Sequence, residues 1–178
     1  VVAIWQNNLK RMLAYSSIAH AGYMLMGVVV LSDAGISSVM LYFIMYFFMN
    51  LGAFYIVMAV ADKTGSEDID TYRGLGYRAP VLAVGMTVFL VSLTGLPPTA
   101  GFIGKWYLFS AVVGTEFLWL VVAAAINTVF SLYYYARVIR NMYLREPLDG
   151  DKSPLAFSPV VIAVVVLFIV PTLVFGVF

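Results

Sequence analysis

A single charged residue, Lys105, stands in an otherwise uncharged stretch that runs from Ala79 to Gly114. The same stretch predicts a broken helix near residues 95–104, because glycine permits non-helical turns and proline removes a backbone donor and restricts the residue before it. The residues that predict the break are Gly95, Pro97, Pro98, Gly101 and Gly104. An ammonium group at bilayer depth is costly and usually faces a protein interior or a water-filled cavity, and a broken helix is tolerated there only under the same condition. Together they indicate an ion or proton path at Lys105; the alternative is a lysine near a helix end that extends to the headgroups.

The composition is that of a membrane protein. Hydrophobic residues make up 63% of the chain and charged residues 11%, whereas soluble domains carry about 25% charged residues. The net charge of +1 predicts no nucleic-acid partner. The absence of cysteine excludes disulfides, thiolate-bound iron–sulfur clusters and thiol catalysis within this sequence. One histidine and scattered carboxylates leave no plausible metal site. We therefore expect an all-α, polytopic membrane helix bundle in contact with the lipid bilayer.

Hydropathy divides the chain into apolar segments separated by short polar loops. A bilayer core requires about 20 apolar residues in a helix, and residues 1–178 form a single transmembrane unit on this pattern. The main extramembrane loop is predicted at Asp62–Arg78, and a second one carries Arg137, Arg140, Arg145 and Lys152. The first five residues resemble the tail of a preceding helix. The predicted helices cover approximately residues 12–31, 36–61, 80–96, 99–113, 117–140 and 159–178.

The number of crossings made by the stretch from Ala79 to Gly114 decides how the basic residues are distributed. A single crossing places all nine basic loop residues on one side of the membrane, as the positive-inside rule favours. Two crossings divide those residues almost evenly, and the rule then assigns no orientation.

Several other residues are candidates for a polar path. His20 lies in the first span and titrates near neutral pH, so it is a candidate relay; a neutral ring that makes one hydrogen bond to a neighbouring helix is the equal alternative. Further candidate path-lining residues are Ser17, Asn50, Thr94 and Tyr107. The run Tyr133–Tyr135 is typical of an aromatic belt at the membrane interface.

Two segments resemble a known family. The segment from Asn8 to Tyr23 (NLKRMLAYSSIAHAGY) and the segment from Leu96 to Phe109 (LPPTAGFIGKWYLF) are similar to conserved stretches of the antiporter-like membrane subunits of respiratory complex I. A lysine at position 105, followed by Tyr107, most resembles the N subunits (mitochondrial subunit 2 homologues) of NADH:quinone oxidoreductase, since M subunits typically carry glutamate there.

This resemblance implies a fold and a place in a longer protein. The family subunit has two inverted repeats, each with a broken helix, so the chain is expected to be a C-terminal fragment that begins inside the eighth helix and holds most of the second repeat. On that count the stretch from Ala79 to Gly114 supplies two elements, one of them the broken twelfth helix, and Lys105 matches the terminal channel lysine.

The resemblance also implies a function. It is proton translocation through a buried path that includes Lys105 and His20, driven by quinone reduction elsewhere in an NADH:quinone oxidoreductase of the bacterial inner membrane. FMN, the iron–sulfur clusters and quinone are expected in other subunits, and the partners are neighbouring membrane subunits of the complex. The alternatives are a subunit of a Mrp-type sodium/proton antiporter or of a membrane-bound hydrogenase, and, in another class, a structural membrane subunit that transports nothing.

Overall fold

A computed structural model describes residues 2–147, 150 and 152–177. Over these residues the chain is helical, with one isolated β-bridge between Asn8 and Asp68 and no strand. The all-α fold class predicted from the sequence is confirmed. Short 3₁₀ turns occupy Val2–Trp5 and Ile69–Tyr72. The α-helices are α1 (Leu9–Val29), α2 (Asp33–Thr64), α3 (Leu75–Arg78), α4 (Pro80–Thr94), α5 (Ala100–Val112), α6 (Leu118–Leu144) and α7 (Pro159–Val177).

Four of these helices, α1, α2, α6 and α7, are long and apolar enough to cross a membrane. Capping residues fix where the first two begin. Asn8 accepts a hydrogen bond from the Arg11 backbone N–H at 2.9 Å, and Ser32 accepts one from the Gly35 N–H at 3.0 Å. Each bond satisfies a backbone donor that the first turn of a helix leaves free. The helix α2 therefore begins at Asp33, three residues before the apolar segment does.

Helix α2 lies at the centre of the bundle and packs against α1, α4, α5 and α7. Small residues permit close approach along it. A Cβ atom added to Gly52 would overlap the Phe89 ring of α4, and one added to Gly104 of α5 would overlap the Tyr42 ring. Further along, the Ser38 hydroxyl donates to the Tyr107 carbonyl at 3.3 Å. Helices α4 and α5 thus follow α2 in succession, antiparallel to it.

The stretch from Ala79 to Gly114 therefore crosses the bundle once, in two half-helices. The family resemblance predicted two elements in this stretch, one of them a broken helix. In the structure both halves, α4 and α5, belong to the same broken crossing. The physical reason is length, since α4 and α5 together span about 42 Å at 1.5 Å per residue, which matches the long helix α2 beside them.

One end of the bundle, which we call the loop end, consists of residues 6–8, 65–79, 145–147, 150 and 152–158. Hydrogen bonds tie its parts together: the Leu9 N–H donates to the Glu67 carbonyl at 2.8 Å, and the Leu155 N–H donates to the Arg78 carbonyl at 2.8 Å. Helices α1, α4 and α7 begin at this end, whereas α2 and α6 end there. All nine basic residues other than Lys105 lie in or next to it.

Candidate functional site

The interruption between α4 and α5 is the centre of the site. Helix α4 ends at Thr94, and Gly95 adopts a left-handed conformation with φ of 85°. Its N–H donates to the Val91 and Ser92 carbonyls at 3.1 and 2.9 Å, as in a glycine-terminated helix. Since α4 has 15 residues, the break lies about 22 Å from the loop end, at membrane depth.

The break is shorter than the sequence indicated. Helix α5 resumes at Ala100, so Gly101 and Gly104 lie inside a helix and not in the interruption. These two glycines serve close packing instead. A Cβ atom on Gly101 would overlap the Ser92 carbonyl oxygen, and the Gly101 N–H donates to the Ser92 hydroxyl oxygen at 3.0 Å. Gly95, Pro97 and Pro98 remain as the residues of the break.

Lys105 projects from α5 back onto the end of α4. Its Nζ donates to the Thr94 carbonyl at 2.7 Å and to the Leu93 carbonyl at 3.2 Å. A helix leaves its last four carbonyls without intrahelical donors, and its C-terminus carries partial negative charge that favours a cation. The Lys105 side chain, only 5% exposed, therefore caps α4. It turns into the bundle and does not extend to the headgroups.

The remaining surroundings of the ammonium are polar but neutral. The Thr128 hydroxyl of α6 accepts from Nζ at 3.4 Å, and Nζ lies 4.8 Å from the centre of the Tyr23 ring, within the range of a cation–π contact. The ion pairs among the described residues all lie at the loop end, and none involves Lys105. Its charge is thus balanced by dipoles and a ring and by no carboxylate of the described chain.

Tyr23 connects Lys105 to Asn127 and Thr128 of α6, and we call these four residues the polar cluster. Its hydroxyl accepts from the Asn127 side-chain amide at 2.8 Å and lies 3.4 Å from the Thr128 hydroxyl. Sequence reasoning missed Tyr23, Asn127 and Thr128, which lie in otherwise apolar spans. Their spacing offered one signal, since adjacent polar residues at 127 and 128 are rare inside a membrane span.

His20 lies in the same layer of the bundle, 2% exposed. Its Nδ1 is 2.6 Å from the Tyr42 hydroxyl, and its ring makes an edge contact with Tyr23 at 5.5 Å and stacks near Tyr46 at 5.0 Å. The ring points into the bundle and not at lipid. Because the Tyr23 ring touches both His20 and the Lys105 ammonium, the two titratable groups share a neighbour without a direct hydrogen bond.

The other candidate path residues are divided between the inside and the outside of the bundle. Thr94 is buried and provides a carbonyl to Lys105. Ser17 is half-buried and donates to the Leu13 carbonyl of its own helix at 3.1 Å. Asn50 is half-buried and lies outside the polar cluster. The Tyr107 side chain is 52% exposed and does not contact the side chains around Lys105, whereas its carbonyl accepts from Ser38 of α2.

The run Tyr133–Tyr135 is also different from the expected belt. Tyr133 is 63% exposed and fits an interfacial anchor, but Tyr134 and Tyr135 are buried. The Tyr135 hydroxyl is hydrogen-bonded to Ser16 of α1. Consecutive residues of a helix point about 100° apart, so a run of three tyrosines cannot face a single surface. Tyr135 and Ser16 therefore form a second polar contact between α1 and α6.

The fold and the site define a class: a polytopic helical membrane protein with a broken crossing, in which a buried lysine caps the first half-helix. In the described residues, no group of three or more His, Cys, Asp or Glu side chains is placed to hold a metal ion. The sequence profile described as NADH:quinone oxidoreductase/Mrp antiporter, TM, matches residues 1–131. The chain belongs to this family of antiporter-like membrane subunits.

Individual relatives agree with that assignment. NADH-quinone oxidoreductase subunit N 2 of Chloroherpeton thalassium is 47% identical over 180 residues, which cover 100% of this chain and 35% of the relative. A chain of respiratory complex I from Thermus thermophilus, solved with bound aureothin, is 31% identical with a TM-score of 0.82, over 99% of this chain and 39% of that one. The chain thus spans about a third of the length of the curated relatives it matches.

The fold extends beyond respiratory complexes. A chain of the Mrp complex from Dietzia sp. superposes with a TM-score of 0.86 over 98% of this chain and 40% of its own length, at 19% identity. A likeness at that identity establishes a shared fold and no shared activity. The same fold therefore occurs in different membrane complexes.

Proposed function

We propose that the chain is part of a proton-translocating N subunit of NADH:quinone oxidoreductase, and that Lys105 carries a proton in the intact subunit. The observation that carries the proposal is the buried ammonium at the helix break. Its polar neighbours among the described residues are two carbonyls, a hydroxyl and an aromatic ring. The name of the 47% identical relative supports the choice of complex.

A lysine in these surroundings is suited to a proton and not to a metal cation. The protonated Nζ offers three donors, which match its three acceptors at Leu93, Thr94 and Thr128. On losing a proton the amine keeps two donors and gains a lone pair. Because no carboxylate of the described residues contacts the site, no fixed negative charge opposes that loss, and none is present to bind Na⁺ in place of H⁺.

His20 is the proposed second station. Its ring is hydrogen-bonded to Tyr42, while Lys105 is bonded towards Tyr23 through Thr128. The Tyr23 ring contacts both His20 and the Lys105 ammonium, but no hydrogen bond among the described residues connects the two. A proton that moves between His20 and Lys105 therefore requires a bridging water or a rotation of Tyr23.

The redox chemistry belongs to other subunits on this proposal. NADH, FMN, iron–sulfur clusters and quinone would be bound elsewhere in the complex, in keeping with a sequence that contains no cysteine. The chain would lie in the bacterial inner membrane against neighbouring membrane subunits, and the free energy of quinone reduction would reach Lys105 through them.

The test replaces Lys105 with methionine in the full-length subunit of the assembled complex. Lys63→Met is the matched control, because Lys63 also lies near a glycine-terminated helix end but is exposed at the loop end. We measure proton uptake per NADH oxidised in proteoliposomes with matched complex content, with and without Na⁺.

Lys105→Met is expected to lower proton uptake by roughly ten-fold or more, since a positioned proton-transfer group typically contributes 10²–10⁴ in rate. Lys63→Met should pump like the wild type. A Lys105→Met complex that assembles and pumps normally would leave Lys105 a helix cap in a structural subunit. Uptake that depends on Na⁺ would favour the antiporter alternative.

A further inference from the structure

A basic groove of about 560 Å³ opens at the loop end, between the last turns of α6 and the loop that follows α2. Four arginines line it, together with a single acidic residue, Asp70. The groove thus carries a formal excess of three positive charges. These arginines are Arg73, Arg137, Arg140 and Arg145.

Two of the four arginines are already bonded to other side chains of the protein. Arg73 forms an ion pair with Asp70 at 3.0 Å, and Arg137 donates to the Asn7 side-chain oxygen at 2.7 Å. Arg140 and Arg145 are exposed and make no hydrogen bond or ion pair to the other described residues. Two guanidinium groups are therefore available to an anion, and the planar fork of arginine matches a phosphate group.

The groove continues into an apolar stripe on α6. Val122, Ile126 and Val129 are each more than half exposed, and Tyr133 is 63% exposed. Their spacing of three or four residues places them on one face of the helix, the same face as Arg137 and Arg140. A ligand lying along α6 would contact apolar side chains first, then the interfacial Tyr133, and finally the arginines.

We propose that this groove, with its apolar stripe, binds an anionic phospholipid whose phosphate lies between Arg140 and Arg145. Along α6 an apolar stripe is followed by a basic groove, and this order matches an acyl chain followed by a phosphodiester. The leaflet also fits, because the nine basic residues at the loop end predict a cytoplasmic orientation, and cytoplasmic leaflets attract basic groups through their anionic lipids. The site is independent of proton translocation through Lys105.

The experiment uses the whole complex with its full-length subunit, delipidated and reconstituted into nanodiscs of dioleoylphosphatidylcholine with a minor fraction of dioleoylphosphatidylglycerol. Native mass spectrometry counts the phosphatidylglycerol retained after detergent release. The test variant is Arg140→Gln/Arg145→Gln. The matched control is Arg11→Gln/Lys63→Gln, which removes the same charge from exposed loop-end residues outside the groove.

Wild type and control should retain phosphatidylglycerol above its bulk fraction. The test variant should lose that preference, because it lacks the two guanidinium groups that hold the phosphate on this proposal. A second arm adds inorganic phosphate to the wild type, which should not displace the lipid, since phosphate alone lacks the acyl contacts.

Three results would overturn the proposal. The first is a wild-type complex that retains no excess of phosphatidylglycerol. The second is displacement by inorganic phosphate, which would make the groove a site for free anions. The third is release of a neighbouring subunit from the test variant with lipid retention unchanged, which would make the groove a contact between proteins.

Discussion

Two helices of this chain end in the same way but in different surroundings. Helix α2 ends at Thr64 and is followed by Gly65, with φ of 72°. Helix α4 ends at Thr94 and is followed by Gly95, with φ of 85°. In both, the glycine N–H closes the last turn onto an earlier carbonyl. Gly65 lies exposed at the loop end, whereas Gly95 lies at membrane depth beside Lys105.

The difference is in what satisfies the last carbonyls. The end of α2 is exposed at Gly65, and Lys63 in its last turn is exposed as well. At the end of α4 the Lys105 ammonium donates to two carbonyls directly. An unsatisfied carbonyl is inexpensive at a wet surface but costs about 1–3 kcal/mol when buried. A lysine that caps a helix in this way cannot release its proton without also weakening the cap.

The largest effect on stability is expected at Gly95. Gly95→Ala places an L-residue in the left-handed conformation that Gly95 already has, which costs about 1–2 kcal/mol. The new Cβ would lie 2.8 Å from the Lys105 Cδ, an overlap that adds about 1–3 kcal/mol. We expect a loss of roughly 3 kcal/mol at the break. Hydrogen exchange of the last turn of α4 in the purified complex measures it.

Gly65→Ala is the matched change at the surface and should have a smaller effect. A Cβ atom there meets no heavy atom within 4 Å, so only the backbone term of about 1–2 kcal/mol remains. The same exchange experiment, on the last turn of α2, gives the comparison. Equal losses at the two glycines would show that Lys105 does not restrict the space at Gly95.

The smallest effect is a pH dependence confined to the loop end. Hydrogen bonds from the side chains of Lys10 first, and then of Asn8, lower the pKa of Glu67 from its usual 4.5. A lowered pKa in the folded state stabilises the loop above pH 4.5, and that contribution is lost as the pH falls through the lowered value. The effect is small because the pair is exposed.

Hydrogen exchange of Ser66–Tyr72, corrected for the intrinsic rate, should therefore rise at acidic pH, and Glu67→Gln should remove the dependence. The end of α4 should show no matching change, because no carboxylate of the described residues contacts it. Acid sensitivity at both ends would contradict the contrast between them.

Sequence reasoning gave the fold class and the interruption because both follow from strong local signals. Long apolar segments require helices in lipid, and Gly95 with Pro97 and Pro98 cannot continue one. The ends of α2 were harder to predict. Asp33 and Lys63 are charged, but they lie in the first and last turns of the helix, where their charges complement the helix dipole. Hydropathy therefore placed those boundaries inside the real helix.

The polar cluster was harder to predict because it depends on packing between helices. Gly101 resembles a helix breaker in sequence, but the close approach of Ser92 determines its role. Tyr107 and Tyr135 are equally amphipathic, yet one faces outward and the other is bonded to Ser16. Only the rotation of α5 and α6 against their neighbours separates them, and no local pattern encodes it.

The central claim is that Lys105 carries protons in addition to capping α4, and Lys105→Arg separates these two roles most directly. A guanidinium can donate to carbonyls but does not release its proton in proteins. We predict that the Lys105→Arg complex assembles, shows the same hydrogen exchange as the wild type in the last turn of α4, and fails to take up protons during NADH oxidation. Normal proton uptake by this variant would contradict the account.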